Sequence, residues 1–115
     1  MNTRQVGSEG EKIALKYLKK QGYRLLERNY YANHGEIDLI VKKAGITVFC
    51  EVKARSHDGF GTPAEAVTPR KIALIQRTAL QYIKDQGLED APIRFDVIEV
   101  FLQEQPRVHH IVGAF

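Results

Sequence analysis

Glu11, Asp38, Glu51 and Lys53 are side chains of the types that act on a phosphate ester, and three of them fall within one short stretch. That stretch, GEIDLIVKKAGITVFCEVKAR at residues 35–55, reads as two apolar strands joined by a tight turn, yet acids and a lysine interrupt the apolar runs. A carboxylate taken out of water is unfavourable unless it is paired, hydrogen-bonded or bound to a metal. Side chains alternate along a strand, so Glu51 and Lys53 share a face with Phe49, while Val48, Cys50 and Val52 take the other. A two-residue turn at Ala44-Gly45 sets Asp38 opposite Glu51 and Glu36 opposite Lys53. A different turn would shift that register by one. Facing carboxylates repel, so something cationic belongs between them.

Metal-assisted hydrolysis of a phosphodiester suits this set. Mg²⁺ takes carboxylate and water oxygens, typically with one or two protein carboxylates, leaving positions for a substrate phosphate and the attacking water. Asp38 and Glu51 would be the ligands. Lys53, two residues along the same face, would orient the nucleophile or offset developing charge, and spacing does not choose between those roles. Glu11 lies on the helical stripe of Ala14 and Leu18, so it is placed to reach the same pocket, to complete a capping box with Ser8, or to do both. The plain alternative is a hairpin whose charges face water. Ile40 and Phe49 on the same face argue that it is covered.

The elements that must position these groups follow from periodicity. Ile13, Ala14, Tyr17 and Leu18 recur at helical spacing after Ser8, predicting a helix from about residue 8 to 21, with Gly22 as its stop. Residues 23–31 read as a strand, Asn33-His34-Gly35 as a turn, and the hairpin follows. After Arg55, Gly59, Gly61 and Pro63 mark a long irregular loop. Thr68-Pro69 begins a second helix carrying Ile72, Ile75, Ala79, Tyr82 and Ile83 toward Gly87. Residues 93–101 and 107–112 read as strands. The order αβββαββ predicts an α/β sheet flanked by helices, in one domain spanning residues 1–115.

At 115 residues the chain is long enough to bury about 65% of its unfolded surface. Its single cysteine, Cys50, sits in an apolar run, which excludes an internal disulfide and reads as a core residue in a reducing compartment. No apolar run approaches the ~18 residues of a membrane span and the opening segment is polar, so a cytoplasmic protein without a membrane partner is expected. Residues 1–31 carry seven Lys/Arg against three acids, and residues 89–115 two against five. Charge is therefore segregated, as it would be for a polyanion lying across one side. Arg55, His57, Phe60, Arg70, Lys71 and Arg77 gather around the long loop and second helix, where cations would hold phosphates and Phe60 would stack on bases. His109 and His110 are adjacent in a strand and so diverge, which disfavours a shared metal. Asp96 is placed either to anchor an arginine or to face solvent.

Asp38 and Glu51-Val52-Lys53, preceded by a helix bearing Glu11, resemble the PD-(D/E)XK nuclease superfamily, whose αβββαβ core order matches that predicted here. A wider run is more specific. Gly7, Gly10-Glu11, Ala14, Tyr17-Leu18, Gly22-Tyr23, Asn29, Gly35 to Ile40, Phe49, Glu51 to Lys53, Arg55, Phe60-Gly61 and Lys71 are similar to the bacterial YraN family, also called UPF0102. The resemblance implies a restriction-endonuclease-like fold close to Holliday junction resolvases and a Mg²⁺- or Mn²⁺-dependent endonuclease acting on DNA, including branched DNA. Asp38, Glu51 and Lys53 would be the signature residues and Glu11 the helix-borne acid, while Arg55, Phe60, Arg70 and Lys71 are expected as nucleic-acid contacts from the basic cluster described above. The proline that names the superfamily motif is absent, with Glu36-Ile37 preceding Asp38. Resolving a junction takes two coordinated cuts and would call for a symmetric homodimer. The competing expectation is a noncatalytic nucleic-acid-binding or assembly module on the same fold.

Overall fold

The computed structural model describes residues 2–55 and 67–115. Helix α1 spans Thr3–Lys20, strands β1, β2 and β3 span Arg24–Ala32, Gly35–Lys43 and Ile46–Arg55, helix α2 spans Pro69–Asp85, and strands β4 and β5 span Ile93–Phe101 and Arg107–Ile111. The predicted order is observed, and the protein is a mixed α/β fold.

The first helix begins earlier than the Ser8–Glu11 pattern predicts. Asn2 is its N-cap: the side chain accepts from Gln5 N–H at 2.8 Å and Asn2 N–H donates to Gln5 Oε1 at 3.0 Å. This reciprocal capping box satisfies donors that Ser8 and Glu11 would otherwise have served. Glu11 consequently lies inside the helix, with no capping duty. The second helix starts as its sequence predicts, the Thr68 hydroxyl accepting from Lys71 N–H with Pro69 in the first turn.

The five strands lie in the order β1-β2-β3-β4-β5, all neighbours antiparallel except β3 and β4. Parallel neighbours need a crossover, and α2 supplies it. Two-residue turns close the first two hairpins, with positive φ at Asn33 and His34 and at Ala44 and Gly45, the geometry that matches strand twist. The second turn sets the register expected from the sequence, from Lys43 opposite Ile46 to Leu39 opposite Cys50.

A helix covers each face of the sheet. Ala14 and Leu18 of α1 pack with Leu39, Val41, Val48, Cys50, Ile98 and Val100. Ile75, Ala79, Tyr82 and Ile83 of α2 pack with Ile37, Ile40 and Phe49. Each large side chain buried in these layers contributes roughly 2 kcal/mol of transfer free energy. Burial pushes the Cys50 thiol well above its ordinary pKa, as suits an inert core residue. No helix among the described residues is long and apolar enough to cross a membrane.

Two glycines allow the helices to come close enough to carry functional side chains inward. A Cβ on Gly10 would stand 2.5 Å from Ala54 Cβ, so α1 touches the end of β3 one residue before Glu11. A Cβ on Gly35 would overlap the Thr78 hydroxyl and crowd Leu74, so α2 presses on the start of β2. Lys71 lies one turn before Leu74 and Ile75 on that same inward side.

Candidate functional site

The β2–β3 ladder ends at Leu39–Cys50, one pair short of the predicted Asp38–Glu51 opposition. Val52 N–H goes instead to a side chain, donating to Asp38 Oδ2 at 2.7 Å. The Asp38 and Glu51 carboxyl groups are nevertheless within hydrogen-bonding reach of each other, and burial followed by repulsion from Glu51 pushes the Asp38 pKa up to about 7. Glu51 is 7% exposed. The pairing of Glu36 with Lys53 expected from the same register is outside the recorded ladder, and Glu36 lies exposed.

Two lysines answer the charge of Glu51. Lys71 Nζ is 3.4 Å and Lys53 Nζ 3.8 Å from Glu51 Oε1. Burial first, then contact with the Lys71 ammonium, holds Lys53 below the ordinary lysine pKa, against the pull of Glu51. Lys71 is displaced upward: burial pulls it down, but its contacts with Lys53 and Glu51 outweigh that. The sequence reading grouped Lys71 with phosphate-binding cations. Its position four residues before Ile75, on the inward stripe of α2, was the signal that it faces the acids.

Glu11 approaches from the opposite face of the sheet. Asn29 Nδ2 donates to Glu11 Oε1 at 3.1 Å, and the same amide acts to lower the Glu36 pKa. Asn29 has a positive φ of 49°, an irregularity of β1 that asparagine tolerates and that turns its amide toward the two acids. Burial raises the pKa of both Glu11 and Glu36, opposed by the Asn29 bond, and Asp38 raises both further. Four carboxylates thus share one region of negative potential.

Asp38, Glu51, Glu36, His34, Lys71 and Leu74 line a cleft of about 340 Å³. A second, basic cleft adjoins it, of about 700 Å³, sharing His34, Lys71 and Leu74 and adding Arg70 and Arg77. On the other flank Lys12, Lys16, Lys19, Lys20 and Arg28 line a groove of about 490 Å³ between α1 and β1, and the Arg28 charge reaches Glu11. Arg55 is half-buried at the end of β3, in register with Phe101. His57 and Phe60 lie outside the described residues, as does the predicted loop around them.

Among the described residues, no three His, Cys, Asp or Glu side chains are grouped so as to hold a metal ion. The donor set is the touching pair Asp38 and Glu51, and one or two protein carboxylates are what a hydrated Mg²⁺ ordinarily takes. The residues fit a cation of that kind. The two histidines of β5 diverge as expected. His110 turns inward, Nε2 at 2.7 Å from Asp96 Oδ2, and His109 turns to Glu99. Asp96 anchors an arginine: Arg94 Nε and Nη2 donate to its two oxygens, both at 2.8 Å.

A five-stranded mixed sheet with a helix on each face, and an acid–lysine cleft at the point where β2 and β3 part, defines the class of fold and site. Residues 10–100 match the family described as uncharacterised protein family UPF0102. The chain is 46% identical over 115 residues to a UPF0102 protein of Clostridioides difficile, covering all of both chains. It is 42% identical over 113 residues to one of Syntrophomonas wolfei, covering 97% of this chain and 98% of the other. A UPF0102 protein of Caldanaerobacter subterraneus is 44% identical over 119 residues, covering 100% and 98%. The chain belongs to the UPF0102 family.

Proposed function

We propose that the protein is a Mg²⁺- or Mn²⁺-dependent endonuclease of the PD-(D/E)XK kind, hydrolysing phosphodiester bonds in DNA, with branched DNA among its substrates. The observation that carries this reading is the meeting of Asp38 and Glu51 in a cleft that Lys71 also lines, with the Lys53 ammonium 3.8 Å from Glu51 Oε1. A purely structural hairpin has no need of touching, shielded carboxylates. Asp38 and Glu51 would hold the cation, which supplies charge to polarise the phosphate and lower the pKa of a bound water. Lys53, with its lowered pKa, takes a proton from the attacking water. Lys71 neutralises Glu51 and lies where the acid cleft meets the basic one, so it also faces the scissile phosphate's neighbours. Arg70, Arg77 and His34 hold the strand on one flank, and the lysines of α1 hold it on the other. Glu11 is a further acid beside Asp38, positioned by Asn29.

The test is cleavage of linear, flapped and four-way DNA with Mn²⁺ by purified protein. Wild type cuts, and Asp38→Asn, Glu51→Gln and Lys53→Ala each lower the rate by 100-fold or more, in the range seen when one stabilising group is removed. Cleavage unchanged in all three variants would remove the assignment. One observation favours a noncatalytic nucleic-acid-binding module instead: Lys71 already neutralises Glu51 without a metal. That reading requires salt-dependent binding with no strand breaks under any divalent ion.

A further inference from the structure

Tyr31 is the one exposed aromatic side chain among the described residues, 68% open to solvent, and the proposed reaction does not use it. A lone exposed tyrosine needs no special account, but this one stands on the lip of the cleft of about 340 Å³ that Asp38, Glu51 and Lys71 also line. It is in register with Glu36, another residue of that lip, and directly opposed residues share a face. Its neighbour Tyr30 turns the other way, into the layer under α2, where it meets Tyr82 edge to face at 5.3 Å. The backbone beneath Tyr31 is held on both sides. Tyr30 is packed before it, and after it the Ala32 carbonyl accepts from the Thr78 hydroxyl at 3.3 Å, while Gly35 lies hard against Thr78 and Leu74. Among the described residues the Tyr31 ring itself makes no hydrogen bond or ring contact. It combines a fixed root with a bare face.

We propose that Tyr31 is a stacking platform for an unpaired nucleobase, holding the nucleotide beside the scissile phosphate in the acid cleft. The proposal rests on the nucleic-acid reading above and adds to it a contact with the bases, where the cationic clefts touch only phosphate. Every base has a π-face, so an aromatic ring grips a strand whatever its sequence. Lys71 and His34 are shared with the basic cleft of Arg70 and Arg77, which draws in the backbone, and Tyr31 stands on the same lip across the β1–β2 turn. A base inside a continuous duplex has both faces covered by its neighbours, so this contact takes a nucleotide that has left the stack. Tyr31 therefore favours single-stranded character at the cut and is indifferent to which base stands there.

The experiment measures metal-free binding of two strands of equal length and charge across a salt series: oligo(dT), and the same backbone built from abasic tetrahydrofuran units. The electrostatic contribution is common to both, so the difference between them reads the bases. Wild type should bind oligo(dT) more tightly. Tyr31→Ala should lose roughly tenfold on oligo(dT) and nothing on the abasic strand, with the salt slope unaltered. Tyr31→Phe keeps the wild-type affinity, since the ring makes the contact, and Tyr31→Leu, apolar without a π-face, does not. Unchanged binding of the abasic strand shows each variant to be folded. A loss in Tyr31→Ala that is equal on both strands, or no loss on either, overturns the platform. Wild type that binds neither strand removes the nucleic-acid reading and the platform together, while a platform that fails beside intact Mn²⁺-dependent cleavage leaves that reading standing.

Discussion

Lys71 reaches Glu51 from a different layer of the fold, its ammonium 3.4 Å from Oε1, and this contact ties α2 to β3 where Asp38 and Glu51 crowd together. The pair balances charge that β2 and β3 cannot balance between themselves. Lys71→Met should therefore destabilise the metal-free protein. The lysine is 39% exposed, so screening limits the loss to about 1 kcal/mol. Urea unfolding with and without Mg²⁺ checks this, and the deficit should shrink when the cation is present, since it takes over neutralisation of the acids.

Asp38 gives the metal-free protein a defined pH dependence. Its pKa is about 7 in the fold against an ordinary 3.8. Between those values the folded chain keeps a proton that the unfolded chain has released, so stability falls as pH rises through that window. The melting temperature without divalent ions should be lower at pH 8 than at pH 5.5. Asp38→Asn should flatten this slope, and Mg²⁺ should restore the loss at pH 8.

The placement of Asp38, Glu51 and Lys53 on one side of a hairpin was legible because strand alternation and a two-residue turn leave little freedom. Both core stripes were legible for the same reason, each being a repeat of 3.6 against a repeat of 2. Three features were not. Asn2 caps α1 because its reciprocal bonds with Gln5 come before the first apolar residue, where periodicity has no reach. The local Ser8–Glu11 match was a false cap, which leaves the other expectation for Glu11, that it turns toward Asp38. Asn29 bonds Glu11 from an αL residue inside a strand, which period-2 reasoning does not contain. That Glu99 Oε2 is buried without a hydrogen-bond partner among the described residues depends on the relative placement of α2 and β5, a purely tertiary matter.

Gly10 sets how closely α1 approaches β3. A methyl group there would overlap Ala54 Cβ, a rigid neighbour that cannot swing away. Gly10→Ala should cost about 1–3 kcal/mol despite alanine's better helix propensity, because overpacking outweighs it. The helix must lift, and Glu11 with it. The Asn29–Glu11 bond, 3.1 Å here, should lengthen or break in a crystal structure of the variant.

Asp96 holds the C-terminal strand to the rest of the sheet. It is fully buried, takes both Arg94 bonds, accepts from Gly113 N–H at 3.0 Å, and meets His110, whose Nδ1 lies 2.9 Å from the Tyr17 hydroxyl of α1. Burial alone would raise the Asp96 pKa, but the Arg94, Gly113 and His110 bonds hold it below the ordinary carboxylate value. Asp96→Ala leaves Arg94 without its carboxylate and should cost on the order of 3 kcal/mol. Denaturant titration measures it. Asp96→Asn should recover only part, since an amide cannot match two guanidinium bonds.

Lys53 separates a proton-accepting role from mere charge compensation. Lys53→Arg keeps a cation at the same place on β3 but cannot give up its proton near neutral pH. If the amine takes the proton of the attacking water, Lys53→Arg should be as inactive as Lys53→Met, each at least 100-fold below wild type. The wild-type rate should also climb with pH and level off below the ordinary lysine pKa, because burial and the Lys71 ammonium hold Lys53 low. Replacing Lys71 by Met removes that ammonium, so the plateau should move to higher pH. Substantial activity in Lys53→Arg, with an unaltered pH profile, would reduce Lys53 to a counter-charge for Glu51 and leave the proton to another acceptor, with Glu11 and Glu36, both within electrostatic reach of Asp38, the candidates.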